Sequence, residues 1–405
     1  MSRFHLPEPL SSADEGCLTA AERVLDTLGE WPSPVGYERF REALAAARAA
    51  VDEAERAGDV APLLVRHLRE SWRLLEAVVR YRWDWPRVDE TELVHVLGGE
   101  DALDRIVATV TAVAPEALWD YLEARHRQRA GRVPPSAPAA RSLVEETARR
   151  MAAAFRDWLA GRGWNLPGLD VPVTLDLSDR AMSSYRPGRR LVVLGGAEFL
   201  VFGDEDGDGA RVVPVIALHS LAHELAGHAV QAALSRDLPA PLRPDERARL
   251  RFASLPVAEG FAGVAGRLAL AFAEERGAEL GLEAEDVAFL RRMVELTPVH
   301  HATAALVDLA VLAARRDPGF DPVGWLEARC GHGGFGELVA AARETPVYKL
   351  LYDAGSLFGF LEVEGTAREL ERRGVGGGES WRRLGTGAWS LGCYRDAVLG
   401  DAREP

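Results

Sequence analysis

His223-Glu224-Leu225-Ala226-Gly227-His228 places two imidazoles and a carboxylate within one short segment, behind the apolar run Val215-Ile216-Ala217-Leu218. Imidazole nitrogens are common zinc ligands, and a carboxylate beside an acidified water is a ready proton acceptor, so the segment points to metal-assisted hydrolysis. The usual form for that chemistry is H-E-x-x-H, whose i, i+4 spacing leaves the two rings only about 40° apart around a helix. Here the histidines are five apart, about 140° in a regular helix. The spacing therefore predicts a π-type turn between His223 and His228. Gly227 removes a side chain where such a turn must crowd.

A zinc site of this kind needs a third protein ligand from a neighbouring helix. Pro256-Val257-Ala258-Glu259-Gly260-Phe261-Ala262 offers Glu259, with Gly260 and Ala262 small enough for close helix approach. His, His and Glu would leave a fourth position open, as a hydrolytic rather than structural site requires. Two other assignments stay open. Glu259 also reads as a helix-terminal acid, and His219 with His223 has the regular i, i+4 spacing, although Ser220 stands where that motif needs its base.

The elements that must carry these residues are mostly helical. Tyr37 to Glu55, Ala61 to Tyr81 and Arg141 to Ala160 have apolar residues at helical spacing, as do Val215 to Ser235, Pro256 to Arg276, Glu285 to Leu296, His301 to Arg315 and Val347 to Arg373. Strand signals are confined to Val171 to Leu177, Arg190 to Leu194, Glu198 to Phe202 and Ala210 to Val213. The expected fold is mainly α with a small antiparallel β-sheet. Loop composition around Gly131 to Pro138 suggests a helical N-terminal lobe over 1–135 and a catalytic part over 136–405, with its sheet in 170–213 and site helices in 214–276.

Composition narrows the partners. With 48 Lys and Arg against 62 Asp and Glu, the formal charge of the 405-residue chain is -14, which argues against nucleic acid or an anionic membrane as partner. Three scattered cysteines, Cys17, Cys330 and Cys393, build no disulfide framework. The first residues meet Pro7 and Glu8 before any apolar run, and Asp308 interrupts Ala302 to Ala314, so neither a secretory signal nor a membrane span is expected and the cytoplasm is the expected location. Oligomeric state is left open.

The same residues resemble a known family. His223-Glu224-Leu225-Ala226-Gly227-His228-Ala229-Val230-Gln231 is similar to the H-E-x-x-P-G-H-H-L-Q motif of the bacterial domain of unknown function 885 proteins, regarded as zincin-type zinc metallopeptidases. Glu259-Gly260-Phe261-Ala262 resembles their E-G-W-A. Ala305-Leu306-Val307-Asp308, Pro346 to Gly355 and Tyr394 to Leu399 follow three further family segments in order. The resemblance covers about 183–405. One residue fewer separates Glu224 from His228, the family's Pro is absent, and Arg395 stands for its terminal His. The shortened form also resembles the H-E-x-x-G-H of dipeptidyl peptidase III, without a counterpart to that family's E-E-C-R-A-D.

The resemblance implies a zincin-like metallopeptidase with one Zn²⁺ per chain held by His223, His228 and Glu259, Glu224 as general base, and Tyr352 as oxyanion donor or, alternatively, a core tyrosine. Asp308 could orient a ligand imidazole or serve in an ion pair. His300 and His301 could touch substrate, as could Tyr348 in the segment that carries Tyr352; Arg343, Lys349 and Arg395 could meet a peptide carboxylate. Asp204 to Gly209 imitates the start of a calcium loop, but Val215 occupies the position of its bidentate Glu, which favours an acidic turn. In zincins an edge strand pairs with the substrate backbone, a role that by analogy falls to Arg190 to Leu194. The function expected is zinc-dependent hydrolysis of short peptides. The alternatives are a non-peptidase zinc hydrolase or biosynthetic enzyme acting on a small amide, and an inactive helical binding protein.

Overall fold

The computed structural model describes residues 11–27, 34–83, 89–127, 138–178, 182–202, 211–238, 251–343, 347–387 and 389–400. Most of the suggested boundary at 131–138 and all of the acidic turn at 204–209 lie outside them. The chain begins with helices α1 (Ser12–Thr27), α2 (Pro34–Ala57), α3 (Pro62–Trp83), α4 (Glu90–Gly98), α5 (Ala102–Thr111), α6 (Pro115–Arg127) and α7 (Pro138–Gly161). Each of the longer ones buries one stripe. Phe40, Leu44, Ala47 and Val51 do so in α2, and Val144, Ala148, Met151, Phe155 and Leu159 in α7, which is the helical period.

Five short strands follow: β1 (Val173–Asp176), β2 (Ser184–Arg186), β3 (Leu191–Gly195), β4 (Leu200–Phe202) and β5 (Arg211–Val213). They are not one antiparallel sheet. β3 lies between β1, which it pairs in parallel, and β2, which it pairs antiparallel, while β4 and β5 form a separate antiparallel pair. The parallel pair arises because β2 intervenes in the chain between β1 and β3, and the polar Ser184-Tyr185-Arg186 gives little sign of a strand. β3 is thus central and buried, and the edge strands are β1 and β2 rather than Arg190 to Leu194.

The helices that carry the site come next. α8 (Val215–Leu221), a π-helical segment (Ala222–Ala229) and α9 (Val230–Leu234) form one continuous rod. α10 (Arg251–Val264) and α11 (Gly266–Arg276) follow, then α12 (Ala284–Arg316), α13 (Pro322–Cys330), α14 (Gly336–Ala342), α15 (Val347–Arg372), α16 (Gly377–Leu384) and α17 (Leu391–Leu399). Two prolines expected to bound helices lie inside them instead. α10 begins upstream of Pro256, and α12 runs through Pro298. A proline inside a helix costs about 3 kcal/mol, and α12 has Phe289, Leu290 and Met293 buried on one side of it and Ala302, Ala305 and Leu306 on the other to offset that cost. Segments 254–280 and 284–316 are apolar and long enough to cross a membrane by composition, but most of each is buried against the rest of the protein.

Two apolar cores hold the fold, and each contains residues from both sides of position 135. All three cysteines are buried and unpaired. The tightest crossing is that of α10 on α15. A Cβ at Gly359 would stand 1.5 Å from the Pro256 carbonyl oxygen, and one at Gly260 would stand 2.1 Å from the Gly359 carbonyl carbon. This backbone contact fixes the distance between the helices bearing Glu259 and Tyr352. Gly359→Ala should therefore cost about 2 kcal/mol or more in chemical denaturation, whereas Gly365→Ala on the same helix, where a Cβ meets open space, should stabilise by about 0.5–1 kcal/mol.

Candidate metal centre

The eight residues Ala222–Ala229 wind as a π-helix, and the wider turn brings His223 and His228 together with ring centroids 4.8 Å apart. Gly227 has a second reason to be small: a Cβ there would stand 2.6 Å from the Ala262 Cα of α10. The buried indole of Trp381 donates to the Ala226 carbonyl at 2.9 Å, giving one carbonyl of the widened turn a donor.

α10 delivers Glu259 between the two rings. Its Oε2 lies 3.6 Å from His223 Nε2 and its Oε1 lies 3.6 Å from His228 Nε2. Burial pushes the Glu259 carboxyl up, but the adjacent His228 and His223 outweigh it and hold the group well below the ordinary carboxylate range. Glu224 stands beside them with Oε1 4.0 Å from His223 Nε2, while its Oε2 accepts from the Tyr185 amide at 2.6 Å. Ligand atoms of His223, Glu224 and His228 all lie within 4.8 Å of one another. Two imidazole nitrogens and a carboxylate converging at one partly buried point are a donor set that fits a zinc ion.

Tyr352 arrives from α15 and donates to Glu259 Oε2 at 3.1 Å. Burial, and then the Glu259 charge, push its phenol well above the usual value, so it remains a donor at neutral pH. These residues line one cleft of about 150 Å³ together with Ser184, Gln231 and Ser254.

The other candidates lie elsewhere. His219 does not line the cleft, and its Nε2 faces Gly266, where a Cβ would be 2.7 Å away. His301 Nδ1 is 3.2 Å from Asp353 Oδ1, and its ring packs edge-on against Tyr352 with centroids 6.2 Å apart; His300 adjoins it. Lys349 Nζ donates to Asp353 Oδ2 at 2.6 Å. Only the backbone of Tyr348, in the first turn of α15, is described. Arg395 sits 3.9 Å from Glu369 on the surface, and Arg315 donates to the carbonyl of Arg343. Asp308 is buried behind Asp353 with no hydrogen-bond partner on Oδ2 among the described residues, so that oxygen orients no imidazole.

Three supporting features were not singled out in the sequence. Buried Glu198 accepts from the Ser183 amide at 2.8 Å and from the Ser183 hydroxyl at 2.6 Å, and Ser183 Oγ in turn accepts from the Gly195 amide at 3.0 Å. That clamp fixes the start of β2 and so the Tyr185 amide that holds Glu224. Asp353, between His301 and Lys349, and Gln231, in the cleft wall, are the other two. Their roles depend on tertiary neighbours, although Gln231 ends the His223 to Gln231 segment and Asp353 lies within Pro346 to Gly355.

No family model matches the chain, and no curated protein does. Among solved structures, a protein of Colwellia psychrerythraea described as a "putative lipoprotein" superposes with a TM-score of 0.47 at 14% identity. The alignment covers 95% of this chain, which spans 66% of that protein's length.

Burial, and then the nearby Asp353, raise the Asp308 carboxyl to about 7. An acid whose pKa is raised on folding binds its proton more tightly in the native state, so stability falls as pH rises from its unfolded value of 3.8 to about 7 and stays level above. Asp308→Asn should remove that penalty. The variant should gain on wild type across this window, by up to about 4 kcal/mol at pH 8, in denaturation curves collected from pH 4 to 8.

Proposed function

We propose that the chain is a zinc-dependent hydrolase of peptide bonds in short peptides, with His223, His228 and Glu259 as metal ligands. The observation that carries this reading is the convergence of two imidazoles, brought onto one side of the rod by a π-helical turn, on a single partly buried carboxylate from a second helix. Bound there, a zinc ion would supply a Lewis acid for the scissile carbonyl and make the attacking water acidic near neutral pH.

The chain's own residues do the rest. Glu224 has one oxygen engaged by the Tyr185 amide and the other turned toward His223, so Oε1 is the atom that accepts the proton of the attacking water and returns it to the leaving amine. Tyr352, with its phenol held protonated, donates to the oxygen on which negative charge develops. The small size of the cleft, about 150 Å³, also favours the second reading, hydrolysis of a specialised small amide by the same groups.

Purified protein should hold one equivalent of zinc, and His223→Ala, His228→Ala and Glu259→Ala should each lower that stoichiometry. Less than about half an equivalent in wild type, indifferent to chelator, would reject the reading in favour of a binding protein. Glu224→Gln should keep its zinc and lose at least about 100-fold in kcat on any peptide the wild type cleaves, and retained turnover would remove Glu224 as the base. Tyr352→Phe should lower kcat by about 100-fold with little change in KM; an unchanged kcat would return Tyr352 to a packing role.

A further inference from the structure

One wall of the cleft carries a polar group with nothing to bind. Gln231, in the first turn of α9 and three residues beyond His228, is 1% exposed, yet its amide Nε2 has no hydrogen-bond partner among the described residues. It lines the same cleft as His223, Glu224, His228 and Glu259. A buried amide donor without an acceptor is costly, and a side chain needed only for packing would be apolar, as Val230 and Leu225 are on the same rod. The position is therefore built for an acceptor that arrives from outside the chain. Ser254 and Leu255 of α10 line the same cleft, the first bringing a hydroxyl and the second an apolar surface.

Charge limits what that acceptor is. The cleft is lined by the carboxylates Glu224 and Glu259 and, among the described residues, by no Lys or Arg. The two carboxylates would together balance the charge of a bound zinc ion, so a free carboxylate beside Gln231 would meet no net positive charge and, among the described residues, no cationic side chain to hold it, whereas a neutral carbonyl oxygen needs only the amide donor. We propose that Gln231 is a substrate-binding residue whose amide donates to a neutral carbonyl oxygen of the substrate, and that the cleft rejects a free carboxylate at this point. The proposal rests on the hydrolase reading above and narrows it to substrates with an amide, not an acid, at this subsite. The carbonyl belongs either to the peptide backbone or to an Asn or Gln side chain.

Thermal unfolding of the unliganded protein tests the premise without turnover. Gln231→Leu and Gln231→Met replace an unsatisfied amide by apolar groups of similar size, so Tm should hold or rise by about 1–2 °C; a fall in both variants would mean that the amide is bonded within the fold, and would overturn the proposal. Kinetics on short peptides blocked at both ends, with Ala or Asn on either side of the scissile bond, test the contact itself. Gln231→Leu should raise KM about tenfold with kcat within about threefold of wild type. A loss across the Ala series assigns the backbone carbonyl, and a loss confined to Asn peptides assigns the side chain. Unblocking the C-terminus should weaken wild-type binding.

The same blocked peptides titrated into the Glu224→Gln protein by calorimetry read the contact independently of catalysis. Turnover by wild type with KM unchanged in Gln231→Leu removes the Gln231 proposal alone. No turnover, but a Kd weakened about tenfold by Gln231→Leu, removes the hydrolase reading and leaves the subsite. Neither turnover nor binding overturns both.

Discussion

The placement of two imidazoles on one carboxylate depends on the width of a single helical turn. An α-helical Ala222–Ala229 would aim His223 and His228 about 140° apart, and Glu259 could then approach only one of them. A π-turn is intrinsically less favourable than an α-turn, so something outside the helix must hold it. Two contacts do. The Trp381 indole donates to the Ala226 carbonyl within the turn, and Ala262 of α10 packs where Gly227 lacks a side chain. Trp381 is itself fixed against Phe261, two residues from Glu259, with ring centroids 4.7 Å apart. The helix that supplies the Glu259 carboxylate therefore also braces the turn that presents the two imidazoles.

The electrostatics of the region follow from that packing. Glu198, Glu224, Asp308 and Asp353 are buried within or near it and Glu259 is partly buried, in a chain whose net charge is already -14. Their partners differ in kind. Asp353 has His301 and Lys349, and burial, which alone would raise its carboxyl, is outweighed by them, so that it lies below the usual range. Among the described residues Glu198 has Ser183 and Ser220 as donors, and burial, reinforced by the Glu224 charge, leaves its carboxyl raised. Glu259 depends on the two histidines. A cation among these groups would relieve a concentration of negative charge for which the cleft wall offers no Lys or Arg among the described residues, and our reading of the centre rests on that imbalance as much as on distance.

Much of this was legible from residue order. The five-residue spacing of the histidines, read against helical geometry, called for the π-turn, and Gly260 and Ala262 beside Glu259 called for close helices. Both are features of local sequence. The long amphipathic helices were equally plain, because their apolar period survives any arrangement of the rest. What could not be read was whatever depends on partners distant in sequence. Pro256 and Pro298 are local helix breakers overruled by packing on both flanks. β2 was invisible because its three residues are polar and its pairing comes from β3. Asp353 stands next to Tyr352 in the sequence, yet nothing in its neighbours shows that it is buried and shared between His301 and Lys349.

β2 explains why a mainly helical protein keeps a sheet beside this cleft. In an antiparallel pair, the amide and carbonyl of a given residue point to the same side, either toward the partner strand or away from it. The Tyr185 amide reaches Glu224, so at this residue the backbone is turned away from β3 and toward the cleft. A loop could offer the same donor, but it would have to be held. Here pairing with β3 on one side and the Glu198 clamp on Ser183 at the strand's start fix the amide to within a hydrogen-bond length. The donor that holds the Glu224 carboxylate thus comes from rigid backbone, while the carboxylate itself comes from the π-helical rod.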